Sequence, residues 1–388
     1  MRILSVVGAR PNFMKLAPVD RELAKRGVEH VIVHTGQHFD AGMSNAVFEQ
    51  LWIPAPDYDL GVASGSHAQQ TAAVIQRLEP VLVELRPDLV LVYGDMNATL
   101  AAALVAAKLQ VRVGHVEAGL RSRDWTMPEE INRVVTDRLS DVLFLPSRDA
   151  AENLGAEGIP AERMHFVGNV MIDTLCWALP QALALDAPAR FDVRGHPYAV
   201  VTLHRQANVD DPTVLRELFE ALTRLADRIP VLFAAHPRTR TRIEQLRLRL
   251  PAHRGLRLLE PLGYLDMLSL VAKAGIVVTD SGGLQEETSF LGVPCLTVRP
   301  NTERPITCTH GTNRLVQAQR DAILAAAERG LARRSPARPV LERWDGQAAQ
   351  RIAQVVCDGE RFELDGGTAT PPREARRAVA IPQPLGAA

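Results

Sequence analysis

The sequence is short of cysteine, of aromatic residues and of net charge. Its 388 residues include four cysteines, Cys176, Cys295, Cys308 and Cys357, all widely spaced. No CxxC pair occurs, which excludes a thiolate zinc site or a disulfide scaffold and fits reduced thiols. Aromatic residues make up 5% of the chain, and the formal net charge is −1. That balance argues against the broad basic footprint of a nucleic-acid binder. No apolar run reads as long enough to span a bilayer. The chain enters its first apolar strand, Ile3–Val7, with no charged and apolar leader before it, so the expectation is a cytoplasmic protein without membrane insertion. No HExxH motif and no Cys/His ligand spacing is present, so no metal is expected. No GxGxxG followed by an acidic residue opens the chain, so no dinucleotide cofactor is expected either.

What is present is an alternation. Short apolar runs at Ile3–Val7, Val31–His34, Leu89–Tyr93, Val111–His115, Val142–Leu145 and His165–Val167 read as strands. Helical periodicity lies between them, as at Pro18–Arg26, Gln69–Leu85 and Ala98–Leu109. The pattern repeats at Ala199–Thr202, Val231–Ala235, Leu256–Leu259, Ile276–Thr279 and Cys295–Val298, with Pro212–Arg228 a strong amphipathic helix. Alternating strands and helices predict parallel sheets covered on both faces, and the length suits two such domains. The Ala-, Pro- and Gly-rich stretch Pro180–Pro197 reads as their linker. Ligands of open α/β sheets bind at the carboxyl ends of the strands, which places a cleft between the halves. From Asp358 onward few large apolar residues remain, predicting a poorly packed tail.

Candidate chemistry gathers at strand ends. In Ile276–Glu287 a buried strand meets Ser281-Gly282-Gly283 and then a helix start. Unpaired N–H groups, the helix dipole and the glycines make an anion site there, while a carboxylate one turn in, Glu286 or Glu287, suits a ribose diol. Arg10 and Lys15 follow the first strand and suit a diphosphate leaving group. Asp95 ends the third strand, where it either caps the next helix or acts on substrate. Glu117, Glu129, Glu130 and Arg133 gather beside it. Paired carboxylates drive each other's pKa values apart, the usual makings of acid/base chemistry, although one of Glu129 and Glu130 is expected to serve the helix start. His204 and His236, each followed closely by arginine, end adjacent strands and point to an anionic ligand. Arg304 falls in a loop facing the same crevice.

In order, GARPNFMKLAP at 8, HTGQH at 34, YGD at 93, GHVEAGLRS at 114, MPEEINR at 127, TLHRQANVDDP at 202, AHPRTR at 235, TDSGGLQEE at 279, NTERP at 301 and GTNRL at 311 run through the chain. This series resembles the non-hydrolysing UDP-N-acetylglucosamine 2-epimerases over roughly residues 1–357. The resemblance implies a GT-B fold, two Rossmann-like domains over 1–175 and 176–357 with the active site between them, the last helix packing back on the first domain, and a flexible tail over 358–388. It implies catalytic Asp95, Glu117, Glu129 and His204. It implies UDP contacts at Arg10, His236, Ser281, Gly282, Gly283, Glu287 and Arg304. Lys15 and Arg133 fall near the diphosphate and sugar, and Met267 near the uracil. The implied substrate is a UDP-sugar, with no cofactor and a homodimeric assembly. The implied reaction interconverts UDP-GlcNAc and UDP-ManNAc. The alternatives are a UDP-2,3-diacetamido-glucuronate epimerase, which shares the GARPxF and MPEEINR variants, a hydrolysing form that releases the free sugar, or a GT-B glycosyltransferase. Met96 stands where many members carry Thr. Phe39–Met43 departs from the polar pattern that binds an activating second UDP-sugar, which argues against such activation.

Overall fold

The computed structural model describes residues 1–36, 50–250, 255–332 and 339–359, with the backbone of 361–362 and 368–369. Phe39–Met43 and the Arg10 side chain lie outside the described residues.

Two parallel sheets carry the fold. The first comprises β1 (Arg2–Val7), β2 (Glu29–His34), β3 (Tyr58–Asp59), β4 (Leu89–Tyr93), β5 (Arg112–Val116), β6 (Val142–Leu145) and β7 (Met164–Phe166). Their spatial order is β3-β2-β1-β4-β5-β6-β7. The second comprises β8 (Ala199–Thr202), β9 (Val231–Ala234), β10 (Leu256–Leu259), β11 (Ile276–Thr279), β12 (Cys295–Val298) and β13 (Asn313–Val316), ordered β10-β9-β8-β11-β12-β13. Both orders reverse beside the first strand of the sheet, between β1 and β4 and between β8 and β11. Strand order reversal opens a crevice at the carboxyl edge, so the loops after these four strands are where a ligand belongs.

The central strands of each sheet are buried on both faces and mostly apolar, as β4 (LVLVY) and β11 (IVVT) show. Along β1, Ile3 and Val7 join one core with Phe13, Leu16 and Leu23 of the Arg10–Lys25 helix. Leu4 and Val6 face the opposite core with Val74 and Leu78 of the His67–Leu85 helix. That helix starts on a capping box, Ser66 with Gln69. Phe13, Met14 and Met171 pack in one cluster with Tyr264, Leu268 and Phe290, so the core of the first sheet continues onto two helices of the second half.

The eleven strands read from sequence all form, with edges displaced by a residue or two. The expected linker does not begin at Pro180: that residue lies inside the helix Val170–Leu185, which ends only at Asp186 in a left-handed conformation. The expectation of no spanning run also changes. The helical run Val170–Arg190 is long and apolar enough to cross a membrane by length and composition. In this fold Val170, Ile172, Leu175, Ala178 and Ala182 of that run are buried against protein. Asp173 in the same run accepts from the N–H groups of Ala348 (3.1 Å) and Ala349 (2.7 Å), capping the Ala348–Ala353 helix. Burial pushes the Asp173 carboxyl up to about 7, the two N–H groups opposing it. The chain thus returns to the first sheet at its end. Trp344 donates to the Pro146 carbonyl at 3.0 Å and Arg351 to that of Val167 at 2.8 Å.

Gly168 sits at this return with φ +92°, and a Cβ there would lie 2.0 Å from the Arg343 carbonyl oxygen. Gly158 has a similar φ, +73°, with open space around it. Gly168→Ala should therefore cost about 2–4 kcal/mol through a backbone clash added to backbone strain. Gly158→Ala should cost about 1 kcal/mol from strain alone. Guanidinium unfolding of both variants checks the difference; equal losses would mean the return segment yields freely.

Candidate active site

Segments after β1, β8, β9, β10 and β11 line an open cavity of about 350 Å³. Pro11 and Met14 line it from the first sheet's side, and His204, His236, Ser281, Gly283, Glu287 and Met267 from the second. Its volume is that of a pocket for a small ligand. Ser281 occupies the N-cap position of the Gly282–Leu291 helix, yet its side chain makes no capping bond. The first-turn N–H groups at Gly282 and Gly283 therefore have no side-chain partner at that end, the condition for an anion site. Glu287 lines the cavity, while Glu286 turns away, accepting from Asn169 at 2.8 Å and pairing with Arg304 at 2.9 Å. Burial pushes Glu286 above the usual carboxylate range, against the pull of Arg304. Met267, with Pro261, Leu262 and Leu284, supplies an apolar wall.

The carboxylates form a buried charge network beside that cavity. Lys15 bonds one oxygen of Glu117, and Arg304 donates to the other at 2.8 Å. Arg304 also pairs with Glu303 and Glu286, so one guanidinium from the β12 side holds Glu117 at the tip of β5. Gly282 lets it in: a Cβ there would meet Arg304 Nη1 at 2.6 Å. Asp95 caps nothing. The N-cap of the following helix is Met96, and Asp95 pairs with Arg133 at 2.9 Å. Burial opposes charge on Asp95, but Arg133, Lys15 and Arg304 outweigh it and hold the carboxyl below its ordinary value. Lys15, Arg133 and Arg304 read from sequence as cations for a ligand. In the structure each meets protein carboxylates, because a buried cation must be paired.

The choice between Glu129 and Glu130 is made by the helix face. Glu130 is buried and accepts from the N–H groups of Ser122 (2.9 Å) and Arg123 (2.7 Å), from the Ser122 hydroxyl (3.0 Å) and from Arg133. It ties down the loop before its own helix, Pro128–Leu139. Glu129, half-buried, is among the charges that act on Arg205 from the other side of the cleft.

Two acidic residues join the site only in the fold. Asp280, fully buried, lies 2.9 Å from His204 Nδ1. Glu303 is held well below the usual range: burial opposes its charge, and Arg304 and Arg299 outweigh it. Both sit inside motifs already singled out, one residue from a named position. Asp57-Tyr58-Asp59, an Asp-x-Asp spacing at the start of β3, is spent on backbone, Asp57 accepting from Ile32 N–H and Asp59 from Gly61 N–H, each at 2.8 Å. Among the described residues no His/Cys/Asp/Glu group is arranged to hold a metal.

Two Rossmann-like domains of GT-B type with a charged cleft between them define this protein as a two-domain α/β enzyme. Its sequence matches the family model described as UDP-N-acetylglucosamine 2-epimerase over residues 21–357. The chain belongs to that family and is an epimerase. It is 44% identical to the UDP-2,3-diacetamido-2,3-dideoxy-D-glucuronate 2-epimerase of Pseudomonas aeruginosa, over 92% of this chain and 99% of that one. It is also similar to the Methanocaldococcus jannaschii UDP-GlcNAc 2-epimerase, whose crystal structure in complex with UDP-GlcNAc and UDP superposes with TM-score 0.85 at 39% identity, covering 92% and 100% of the two chains. The Neisseria meningitidis UDP-GlcNAc 2-epimerase bound to UDP-GlcNAc gives TM-score 0.83 at 30% identity, over 92% and 100%.

Glu130→Ala should lower stability by about 3–5 kcal/mol, because it leaves Arg133 and buried N–H donors without their acceptor. Glu129→Ala should stay within about 0.5 kcal/mol of the native protein, as a partly exposed side chain outside the network does. Paired thermal melts measure both, and a stable Glu130→Ala variant would contradict the assignment. The pH dependence has a definite sign. Asp95, Asp137, Asp280 and Glu303 all have lowered pKa values in the fold. Their stabilisation is complete above the unfolded carboxylate range, about 4, and is lost as pH falls through the lowered values. Denaturation midpoints taken from pH 6 to pH 3 should fall most steeply in the lowest interval.

Proposed function

We propose that the protein interconverts UDP-GlcNAc and UDP-ManNAc by eliminating UDP and adding it back. The observation that carries this reading is the junction at Glu117, a carboxylate from one sheet held by Lys15 and by Arg304 of the other, beside a cavity suited to a nucleotide.

C2 of an N-acetylhexosamine is not adjacent to a carbonyl, so direct loss of its proton is slow. Elimination avoids this. A base takes the C2 proton, the C–H pair becomes the C1–C2 double bond, and the C1–O pair leaves with UDP. The remaining 2-acetamidoglucal is reprotonated at C2 on the other face while the UDP oxygen rejoins C1. The chemistry needs a cationic cradle for the diphosphate, proton-transfer groups on both faces of the sugar and a cleft that retains the glycal. In this proposal Asp95, Glu117, Glu129 and His204 share the proton transfers, each supplying about 10²–10⁴-fold in rate. Arg10, Lys15, His236, Arg304, Ser281 and the N–H groups at Gly282 and Gly283 take the diphosphate, with Lys15 and Arg304 exchanging carboxylate for phosphate oxygen. Arg133 keeps Asp95 charged at the sugar. Glu287 takes the ribose hydroxyls and Met267 the base wall. No cofactor enters this scheme.

The division into domains at 175/176 is part of the same proposal, with the Val170–Leu185 helix crossing between them. So is a homodimer in the cytoplasm. Ile131 and Val135, one turn apart on the exposed face of the Pro128–Leu139 helix, support self-association, and free cysteines suit a reducing compartment. A second reading, the UDP-2,3-diacetamido-glucuronate as substrate, is favoured by the 44% identity to the P. aeruginosa enzyme.

Incubation in D₂O without acceptor should place deuterium at C2 and yield UDP-ManNAc from UDP-GlcNAc. Exchange only with the diacetamido-uronate substrate would move the assignment to the second reading, and no exchange with either would end the proposal. Glu117→Gln should abolish exchange while UDP binding, measured by calorimetry, is retained; exchange at the native rate would make Glu117 structural.

A further inference from the structure

Asp280 follows β11 at the reversal point of the second sheet, with no exposed surface. Its Oδ2 accepts from the N–H groups of His204 and Arg205, both at 2.9 Å, and from Asn208 Nδ2 at 3.0 Å. Its Oδ1 faces His204 Nδ1 at 2.9 Å. Oδ1 also accepts from the His204 N–H at 3.2 Å, so both oxygens hold the loop after β8 and Oδ1 alone meets the imidazole. A carboxylate only accepts, so the ring nitrogen facing it carries a proton. That leaves Nε2 on the opposite edge of the ring, and His204 lines the cavity.

The second cleft histidine is set the other way. His236 Nδ1 accepts from the Arg238 N–H at 3.3 Å, as cap of the Pro237–Gln245 helix. Its proton therefore sits on Nε2. The cavity receives a hydrogen-bond donor from His236, suited to a phosphate oxygen, and an acceptor from His204, suited to a proton.

We propose that Asp280 is a positioning residue for proton transfer, fixing the His204 ring in the tautomer whose Nε2 is a base. The inference rests on the reading of His204 as a catalytic group. Other charges face this corner and stay in place when Asp280 is changed. They are Arg205 on the same loop, Glu287 on the helix after β11, Arg299 and Glu303 after β12, and Glu129 across the cleft.

Asp280→Asn separates orientation from anchoring. An asparagine oxygen at the Oδ2 position keeps the three bonds to that oxygen, while its NH₂ group gives up the longer 3.2 Å bond from the His204 N–H, turns a donor toward Nδ1 and demands the opposite tautomer. The expected result is a fall in kcat of about 10²-fold or more with UDP affinity within about threefold of native. Long-range ¹H–¹⁵N correlation on the labelled full-length protein reads the ring directly. His204 should be the Nδ1–H tautomer in the native protein and lose it in Asp280→Asn. A native His204 protonated on Nε2 alone overturns the proposal whether or not the variant folds, as does Asp280→Asn with native kcat. His204→Gln tells this failure from that of the underlying reading. If His204→Gln turns over at the native rate, His204 has no part in the chemistry. If it is inactive while Asp280→Asn is native, only the role of Asp280 falls.

Discussion

A single guanidinium holds the cleft together. Arg304 is buried, and Glu117, Glu286 and Glu303 close around it. Glu117 belongs to the first sheet and the other two to the second, so the pairing spans the cleft. Two charges removed from water lose solvation worth several kcal/mol each, and only close pairing with filled hydrogen bonds returns it. The cost is met here by sharing. Three carboxylates surround one arginine, Lys15 and Arg299 supply further positive charge, and Asn169 satisfies one Glu286 oxygen. Every member depends on the others, which makes the strand ends of the two sheets one electrostatic unit.

That unit also explains how the cleft can be stable and still admit an anion. A diphosphate would offer Lys15 and Arg304 oxygens comparable to those of Glu117. Exchanging one acceptor for another costs far less than exposing a buried cation to nothing. On the proposed function, ligand entry and release of Glu117 from its cations are one event.

Much of this was legible in the chain. The apolar β-branched runs read correctly because a strand buried on both faces is apolar at every position. β3 and β13 were not read: Tyr58–Asp59 has two residues, and Asn313-Arg314-Leu315-Val316 carries polar groups at an edge of its sheet. The strand orders were out of reach, since pairing is decided by packing between distant segments. Pro180 reads locally as a helix breaker, but tertiary packing of Val170–Leu185 overrides its preference. Glu129 and Glu130 are indistinguishable by composition, yet neighbours on a helix point about 100° apart. A signal was available: Glu130, Arg133 and Asp137 recur at helical spacing and form a buried polar stripe. Asp280 was hidden differently. Its anion-site neighbours drew the argument, and only the fold brings β8 beside β11, where Val278 pairs with Val201 and Thr279 with Thr202.

The fold alone does not choose between epimerase and glycosyl transfer, because both use a nucleotide site on the second domain. The decision lies on the opposite wall. A transferase must leave room there for an acceptor. Here that wall is occupied by buried charge. Asp95 meets Arg133, Arg133 meets Glu130, and Lys15 meets Glu117, with Lys15, Glu117, Glu130 and Arg133 each no more than 6% exposed. Such a network costs stability that hydrophobic residues of the same size would have supplied. In the proposed reaction Asp95 and Glu117 of that network move protons on a sugar held in the cleft, a need that transfer to a second substrate does not impose.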